Sequence, residues 1–178
     1  MKWMRFWRRY SWSWMAQEYL PGRNYGWVGL IKDGKLVSSG AMERLQYLMS
    51  HISASGVTGN VRLARTVHEI AVNEVCERVC SLLGSVTGVV SIDLREDVHG
   101  EPCVTEVSPR FAGRPWLYTC AGANFPDAVV RIVQGEEVNL PRRNAPEAKW
   151  LAIRQVDVEP VVIREVDIKR SGKGEIAQ

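Results

Sequence analysis

The sequence is poor in the residues that stabilise small extracellular or metal-bound proteins. It has four cysteines in 178 residues, without the paired C-x-x-C spacing of a zinc cluster or the density of a disulfide framework. It also lacks any run of about 18 apolar residues, the length that a transmembrane helix needs. With 46% hydrophobic residues, it is expected to form a globular, cytoplasmic protein with a sizeable core.

Residues for nucleophilic catalysis are also scarce. The three histidines, His51, His68 and His99, are scattered along the chain, and we expect them at the surface or in structural roles. Cys76 and Cys80 are four residues apart on a predicted helix and could bind one metal or oxidise together, but two ordinary buried small residues are the simpler interpretation. The chemistry is therefore sought among carboxylates and arginines.

Basic and aromatic residues are concentrated at the N-terminus. The chain has 23 basic and 20 acidic residues, but residues 1–14 hold four basic residues, no acidic one and six of the fifteen aromatic residues. Alone, such a segment would suit a nucleic acid or a membrane surface. A signal peptide is excluded because no apolar segment follows the charged one. Alternating large side chains favour a strand over residues 12–19, although their spacing also fits a helical stripe.

Periodicity and turn residues predict an α+β fold, a mostly antiparallel sheet with helices packed on one face. A hairpin with strands at Tyr25–Lys32 and Lys35–Ala41 is expected around Asp33-Gly34, because this dipeptide favours tight two-residue turns. Thr66 and Glu69 have the spacing of a capping box, which predicts a helix from there to about residue 82. The other expected elements are a loop at 50–60, strands at 88–96, 102–109, 149–156 and 160–168, helices at 115–121 and 126–134, and a solvated tail at 171–178.

The predicted hairpin at 88–108 places two carboxylates face to face. A two-residue loop at His99-Gly100 sets Asp93 directly opposite Glu106, and like charges so placed repel unless a cation lies between them. Either a divalent metal or an arginine could be that cation. Mg²⁺ suits carboxylate and hydroxyl oxygens, whereas Arg95 and Arg110 could pair with the acids on a solvated face. The residues expected on this face are Ser91, Asp93, Arg95, Glu106, Ser108 and Arg110.

Three runs of sequence carry a family resemblance. They are Gly88-Val89-Val90-Ser91-Ile92-Asp93-Leu94, Val104-Thr105-Glu106-Val107-Ser108-Pro109-Arg110, and Ala121-Gly122-Ala123-Asn124-Phe125-Pro126. Together with Gln17-Glu18-Tyr19-Leu20-Pro21-Gly22 upstream, this order resembles the C-terminal half of an ATP-grasp domain, as in carbamoyl-phosphate synthetase and biotin carboxylase. The resemblance covers about residues 15–140. It divides the chain into a basic aromatic lead-in (1–14), this C-terminal lobe (15–140), and a strand pair with a tail (141–178).

The resemblance implies ATP and Mg²⁺, or Mn²⁺ in its place, as cofactors. Asp93 and Glu106 would bind the metal, with Ser108 as a shorter ligand where the family normally has asparagine. Arg110 would contact phosphate, and Arg44 would approach phosphate or substrate. The residues that would lie near adenine and ribose are Gln17, Glu18, Tyr19, Leu20 and Asn24, the last at a position where relatives often carry an acid.

The implied activity is ligation of a carboxylate to an amine or thiol through an acyl phosphate. The family's preceding lobe, which supplies a glycine-rich loop and a lysine, is not recognised in this sequence. We therefore expect either a partner chain that supplies it, or a truncated ligase, or a non-catalytic interaction domain that docks a partner or self-associates. The aromatic lead-in would then pack against that lobe, so neither nucleic acid nor membrane is expected as a partner.

Overall fold

The computed structural model describes residues 17–52, 56, 59–146, 149–155 and 158–171. The basic lead-in, most of the strand expected at 12–19 and the end of the tail therefore lie outside the described residues. The strands are β1 (Asn24–Lys32), β2 (Lys35–Tyr47), β3 (Val61–Val67), β4 (Gly88–Glu96), β5 (Pro102–Ser108), β6 (Arg143–Asn144), β7 (Trp150–Gln155) and β8 (Val158–Arg164). The helices are α1 (Ile70–Ser81), α2 (Pro115–Cys120), α3 (Phe125–Val133) and α4 (Glu165–Ser171), with a 3-10 turn at Ser50–Ile52.

These strands form one mostly antiparallel sheet. Its order is β5-β4-β1-β2-β3-β7-β8, and the short β6 pairs with β2 in parallel. The α+β class and the mostly antiparallel sheet are thereby confirmed. Because β7 pairs with β3, the strands that follow residue 140 extend the same sheet.

Helices cover both faces of the sheet, whereas one covered face was expected. α1 packs on the face of Trp27 and Ile92, while α2 and α3 pack on the opposite face, against Val28 and Leu30. The physical reason lies in β1, which is buried at seven consecutive positions. A central strand whose successive side chains are all buried needs apolar cover on both sides.

The first hairpin forms as its turn residues predict. Asp33 and Gly34 have φ angles of 50° and 76°, the positive values that a tight hairpin turn of this kind requires. β2 then continues six residues beyond the expected end at Ala41, to Tyr47. Arg44 lies in this extension and is therefore part of the sheet.

The predicted capping box is wrong. Thr66 lies in β3, where its Oγ1 accepts a hydrogen bond of 2.9 Å from the Trp150 backbone nitrogen of β7. The helix begins only at Ile70, and Glu69 precedes it without a side-chain cap. Val67 and Ile70 match a helical stripe in sequence, but pairing with β2 and β7 keeps the first of them in a strand.

The C-terminal strands are confirmed, with a shorter second strand. β8 ends at Arg164, and the next residues form α4, in which the Asp167 carboxylate accepts hydrogen bonds from the Arg164 guanidinium. This local pair favours a helical turn where a strand to residue 168 was expected. None of the helices in the described part of the chain is long and apolar enough to cross a membrane.

Candidate functional site

The predicted opposition of two carboxylates is confirmed. Asp93 of β4 pairs with Glu106 of β5, and Ser91 pairs with Ser108. Immediately after Asp93 the register shifts by one residue, so that Leu94 pairs with Val104. Thr105 is therefore a bulge residue, and its Oγ1 donates a 3.0 Å hydrogen bond to the Asp93 carbonyl oxygen. Bulges of this kind redirect side chains next to functional sites.

Two further strands bring a guanidinium to these carboxylates. Gly26 of β1 lies between Met42 of β2 and Asp93 of β4. A Cβ atom at position 26 would come within 2.9 Å of Met42 Cε and 3.1 Å of the Arg44 Nη2. The missing side chain leaves the space through which the Arg44 side chain reaches Asp93.

The cation that pairs with Asp93 is Arg44. Its Nη2 donates to Asp93 Oδ1 at 2.5 Å, and its Nη1 donates to Asn24 Oδ1 at 3.1 Å. Burial alone would lower the pKa of Arg44, but the hydrogen bond and the charge of Asp93 outweigh it and raise the pKa above its ordinary value. The Arg44 Nε is buried without a hydrogen-bond partner. Arg44 is therefore fully charged at neutral pH.

Arg95 and Arg110, which the sequence offered as partners for the acids, have other contacts. Arg95 donates to the Gly22 carbonyl oxygen at 3.4 Å and stacks over the Tyr19 ring at 5.9 Å. Arg110 donates to the Phe111 carbonyl oxygen at 3.2 Å, and its own carbonyl oxygen accepts a hydrogen bond from Ser91. The Arg110 side chain is thus held at the end of β5 without a carboxylate partner in the described structure.

Two adjoining cavities open on this face of the sheet. The smaller, of about 160 Å³, brings together five predicted site residues: Arg44, Asp93, Glu106, Ser108 and Arg110. The larger, of about 560 Å³, is lined by Asn24 and shares Arg44 and Asp93 with the first. Gln17, Glu18, Tyr19 and Leu20 line neither cavity, and the Tyr19 side chain is exposed.

The larger cavity also has two arginines that the sequence did not single out. Arg114 precedes α2, and Arg154 comes from β7, next to the pairing partner of Leu63. Arg114 is 95% buried, since 5% of its surface is exposed, and it donates through Nη2 to the Val61 carbonyl oxygen. Burial, together with the charges of Arg154 and Arg44, lowers the pKa of Arg114 to about 10. Nothing in the local sequence marked either arginine.

The donor set fits a hard cation that keeps other ligands. No three His, Cys, Asp or Glu side chains gather at one point among the described residues. Two carboxylates and a hydroxyl nevertheless line the small cavity. Mg²⁺ is usually held by one or two carboxylates together with waters and substrate phosphates, so Asp93, Glu106 and Ser108 are the residues that would hold such an ion.

A family model described as an ATP-grasp domain matches residues 4–114, more than half of the chain. The chain belongs to the ATP-grasp family. The ATP-grasp match includes β1 to β5 and therefore the whole small cavity. No curated protein sequence matches the chain significantly.

Solved structures share the ATP-grasp fold at low identity. The L-amino acid ligase of Bacillus licheniformis has 19% identity and a TM-score of 0.55, with 79% of this chain and 35% of that chain covered. The biotin carboxylase domain of Hydrogenobacter thermophilus 2-oxoglutarate carboxylase, solved with MgADP and bicarbonate, has 11% identity and a TM-score of 0.58, with 76% of this chain and 30% of that chain covered. N5-carboxyaminoimidazole synthetase of Staphylococcus aureus, solved with ADP, has 12% identity and a TM-score of 0.55, with 77% of this chain and 36% of that chain covered. The chain spans about a third of the length of these structures.

Proposed function

We propose that the chain is the nucleotide-holding and metal-holding lobe of an ATP-dependent carboxylate–amine or carboxylate–thiol ligase. The single observation that carries this proposal is the small cavity. It gathers two carboxylates, two serine hydroxyls and two guanidinium groups from three strands and the segment after β5. A phosphate chain bound with a divalent cation needs this mixture of anionic and cationic groups.

Each side chain has a role in this proposal. Asp93, Glu106 and Ser108 hold Mg²⁺ or Mn²⁺, which neutralises phosphate charge when bound. Arg110 binds a phosphate oxygen, and Arg44, already charged and half-buried beside Asp93, binds the transferred phosphate or the substrate. Asn24 lies on the wall of the adjoining cavity. Positioning and charge neutralisation are the main protein contributions to phosphoryl transfer.

The proposed reaction has two balanced steps. A carboxylate oxygen of the substrate attacks the terminal phosphorus of ATP, and ADP leaves with the electron pair of the broken P–O bond. An amine or thiol then attacks the acyl carbon, loses its proton, and releases inorganic phosphate. The three histidines are exposed and lie outside both cavities, so neither step requires an imidazole.

The described residues supply one wall of a phosphate site. They contain no glycine-rich loop of the G-x-x-x-x-G-K-[ST] type, whose backbone N–H groups would surround the phosphates. We propose that a complementary lobe, from a partner chain or a second copy, closes the site. The segment at residues 17–20, exposed beside β1, would face nucleotide once that lobe is present.

Calorimetry with MgADP tests the proposal. We expect wild type to bind MgADP weakly and Glu106→Ala to lose at least about tenfold in affinity, because a ligand of the metal is removed. Glu101→Ala is the matched control, since Glu101 is exposed in the turn of the same hairpin and lines neither cavity. Equal heats for wild type and Glu106→Ala, or no heat for either, would reject nucleotide binding and favour the non-catalytic interaction domain.

A further inference from the structure

The larger cavity has an excess of positive charge that the nucleotide roles do not use. Four arginines line it against one carboxylate, Asp93. Arg44 is paired with that carboxylate, and Arg95 stacks on Tyr19. Arg114 and Arg154 have no ion pair with any carboxylate in the described part of the chain. Their charges are therefore uncompensated from within this face of the molecule.

Arg114 is the decisive side chain because its burial is costly. A buried charge without a partner is strongly destabilising in general, and burial together with two neighbouring arginines lowers the pKa of Arg114 to about 10. At neutral pH it nevertheless stays charged. Its Nη1 atom is buried and has no hydrogen-bond partner, although Nη2 is anchored on the Val61 carbonyl oxygen. Arg114 is thus anchored through one nitrogen, while a second nitrogen has no partner in the described part of the chain.

Arg114 and Arg154 lie apart from the proposed phosphate site. Arg114 and Arg154 line only the larger cavity, whereas Glu106, Ser108 and Arg110 line only the smaller one. Arg44 and Asp93 are shared by both. A ligand could therefore reach from the shared wall, where phosphate would be transferred, to the two arginines at the other side.

We propose that the larger cavity binds a substrate with two oxyanionic groups, of which one is the carboxylate to be activated beside Arg44 and the other is held by Arg114 and Arg154. That this ligand is a substrate rests on the proposed ligase function. The second group is a carboxylate or a phosphate, because a guanidinium donates to both in the same planar geometry. A volume of about 560 Å³ suits a small organic acid.

Binding of simple acids to the full chain without nucleotide tests this inference. Calorimetry at constant ionic strength would compare the dicarboxylates from malonate to adipate, 3-phosphonopropionate, and the monoanion butyrate. We expect at least one dianion to bind about tenfold or more tightly than butyrate. A preference for the dicarboxylates identifies the second group as a carboxylate, and a preference for 3-phosphonopropionate identifies it as a phosphonate or phosphate.

Variants locate the binding. Arg154 is exposed, so Arg154→Gln should fold normally, reduce the affinity for the preferred dianion about tenfold, and leave butyrate binding nearly unchanged. Arg62→Gln removes the same charge from an exposed position of β3 outside both cavities and should have no effect. Arg114→Lys, checked for folding by circular dichroism, should weaken dianion binding as well.

The outcomes separate this inference from the proposed function. The inference is overturned if no dianion binds more tightly than butyrate, or if Arg62→Gln weakens binding as much as Arg154→Gln does. MgADP binding without dianion preference would leave the nucleotide site standing and remove the dianionic substrate. Dianion binding without MgADP binding would leave the oxyanion site standing and remove the ligase.

Discussion

At the scale of single residues, the site depends on an absent side chain. Gly26 lies in the middle of a central strand, where glycine is normally unfavourable. Its neighbours across the sheet are Met42 and Asp93, and the gap that it leaves is filled by the end of the Arg44 side chain. The hydrogen bond between Arg44 and Asp93 therefore depends on glycine at position 26 as well as on the two charged residues.

Gly26→Ala should displace this contact. The new Cβ would lie 2.9 Å from Met42 Cε and 3.1 Å from Arg44 Nη2, both flexible ends, so we expect a loss of about 1 kcal/mol, at the lower end for overpacking. Urea denaturation measures it. Gly113→Ala is the control, because its Cβ would meet nothing within 4 Å. Equal stabilities of the two variants would contradict the prediction.

The Glu96 carboxylate holds the start of β1 in place through hydrogen bonds. It accepts hydrogen bonds from the Arg23 backbone and guanidinium and from the Tyr25 hydroxyl. Burial alone would raise the pKa of Glu96, but these donors outweigh it and lower the pKa below its ordinary value. The carboxylate therefore stabilises the fold above the unfolded pKa of about 4.3, and this contribution is lost as the pH falls through the lower folded pKa.

Glu96→Gln should reduce the free energy of unfolding at pH 7 by about 1.5–3 kcal/mol, the range for hydrogen bonds to a charged group. The difference between wild type and variant should shrink as the pH falls below about 4. Urea denaturation between pH 3 and 7 measures both effects. Glu101→Gln, at an exposed position of the same hairpin, should change neither; a constant difference at all pH values would refute the assignment.

At the scale of elements, the sequence was informative where the signal is local. Asp33-Gly34 located a hairpin, and proline at the start with glycine past the end located α2 and α3. The opposition of Asp93 and Glu106 was predicted from a two-residue turn, which is wrong, because the loop has one residue more and the register beside it differs by one from the prediction. The bulge at Thr105 restores the predicted pairing at Asp93. Turn and cap residues act on their nearest neighbours, so their effect can be inferred from short stretches.

Elements that depend on distant pairing were missed or misassigned. β3 was not predicted, and its last two residues were assigned to a helix start, because only β2 and β7, the latter more than 80 residues away, show that it is a strand. Arg114 and Arg154 were missed for the same reason, since only the folded sheet places them in one cavity. The sequence thus predicted five residues that line the small cavity, whereas it did not predict that Arg114 and Arg154 line the larger one.

The first turn of α3 offers a test at this scale. The Asn124 side chain accepts a 3.2 Å hydrogen bond from the Asp127 backbone nitrogen, as an N-cap does. Asn124→Ala should cost about 1 kcal/mol, measured by thermal or urea denaturation. Asn139→Ala, at an exposed position whose side chain has no hydrogen bond within the described part of the chain, should stay within about 0.5 kcal/mol of wild type. A similar loss for both would show that capping is not the cause.

At the scale of the whole molecule, the small cavity joins elements across the sheet. Its lining comes from β2, β4, β5 and the segment that leads to α2. A ligand bound there stabilises the native state by mass action. We expect MgADP at 100 times its Kd to add about 2.7 kcal/mol to the free energy of unfolding, visible as a raised Tm. No rise with MgADP in wild type, or an equal rise in Glu106→Ala, would contradict nucleotide binding at this cavity.

The position of Arg154 also has a consequence for how the protein is made. Most of the larger cavity comes from residues 24–114, but one wall waits for β7 to pair with β3. A ribosome releases the chain from its N-terminus, so an emerging chain would hold Arg114 beside an open, water-filled gap until some forty more residues had followed. An acid that bridges both arginines would therefore bind only after β7 has joined the sheet.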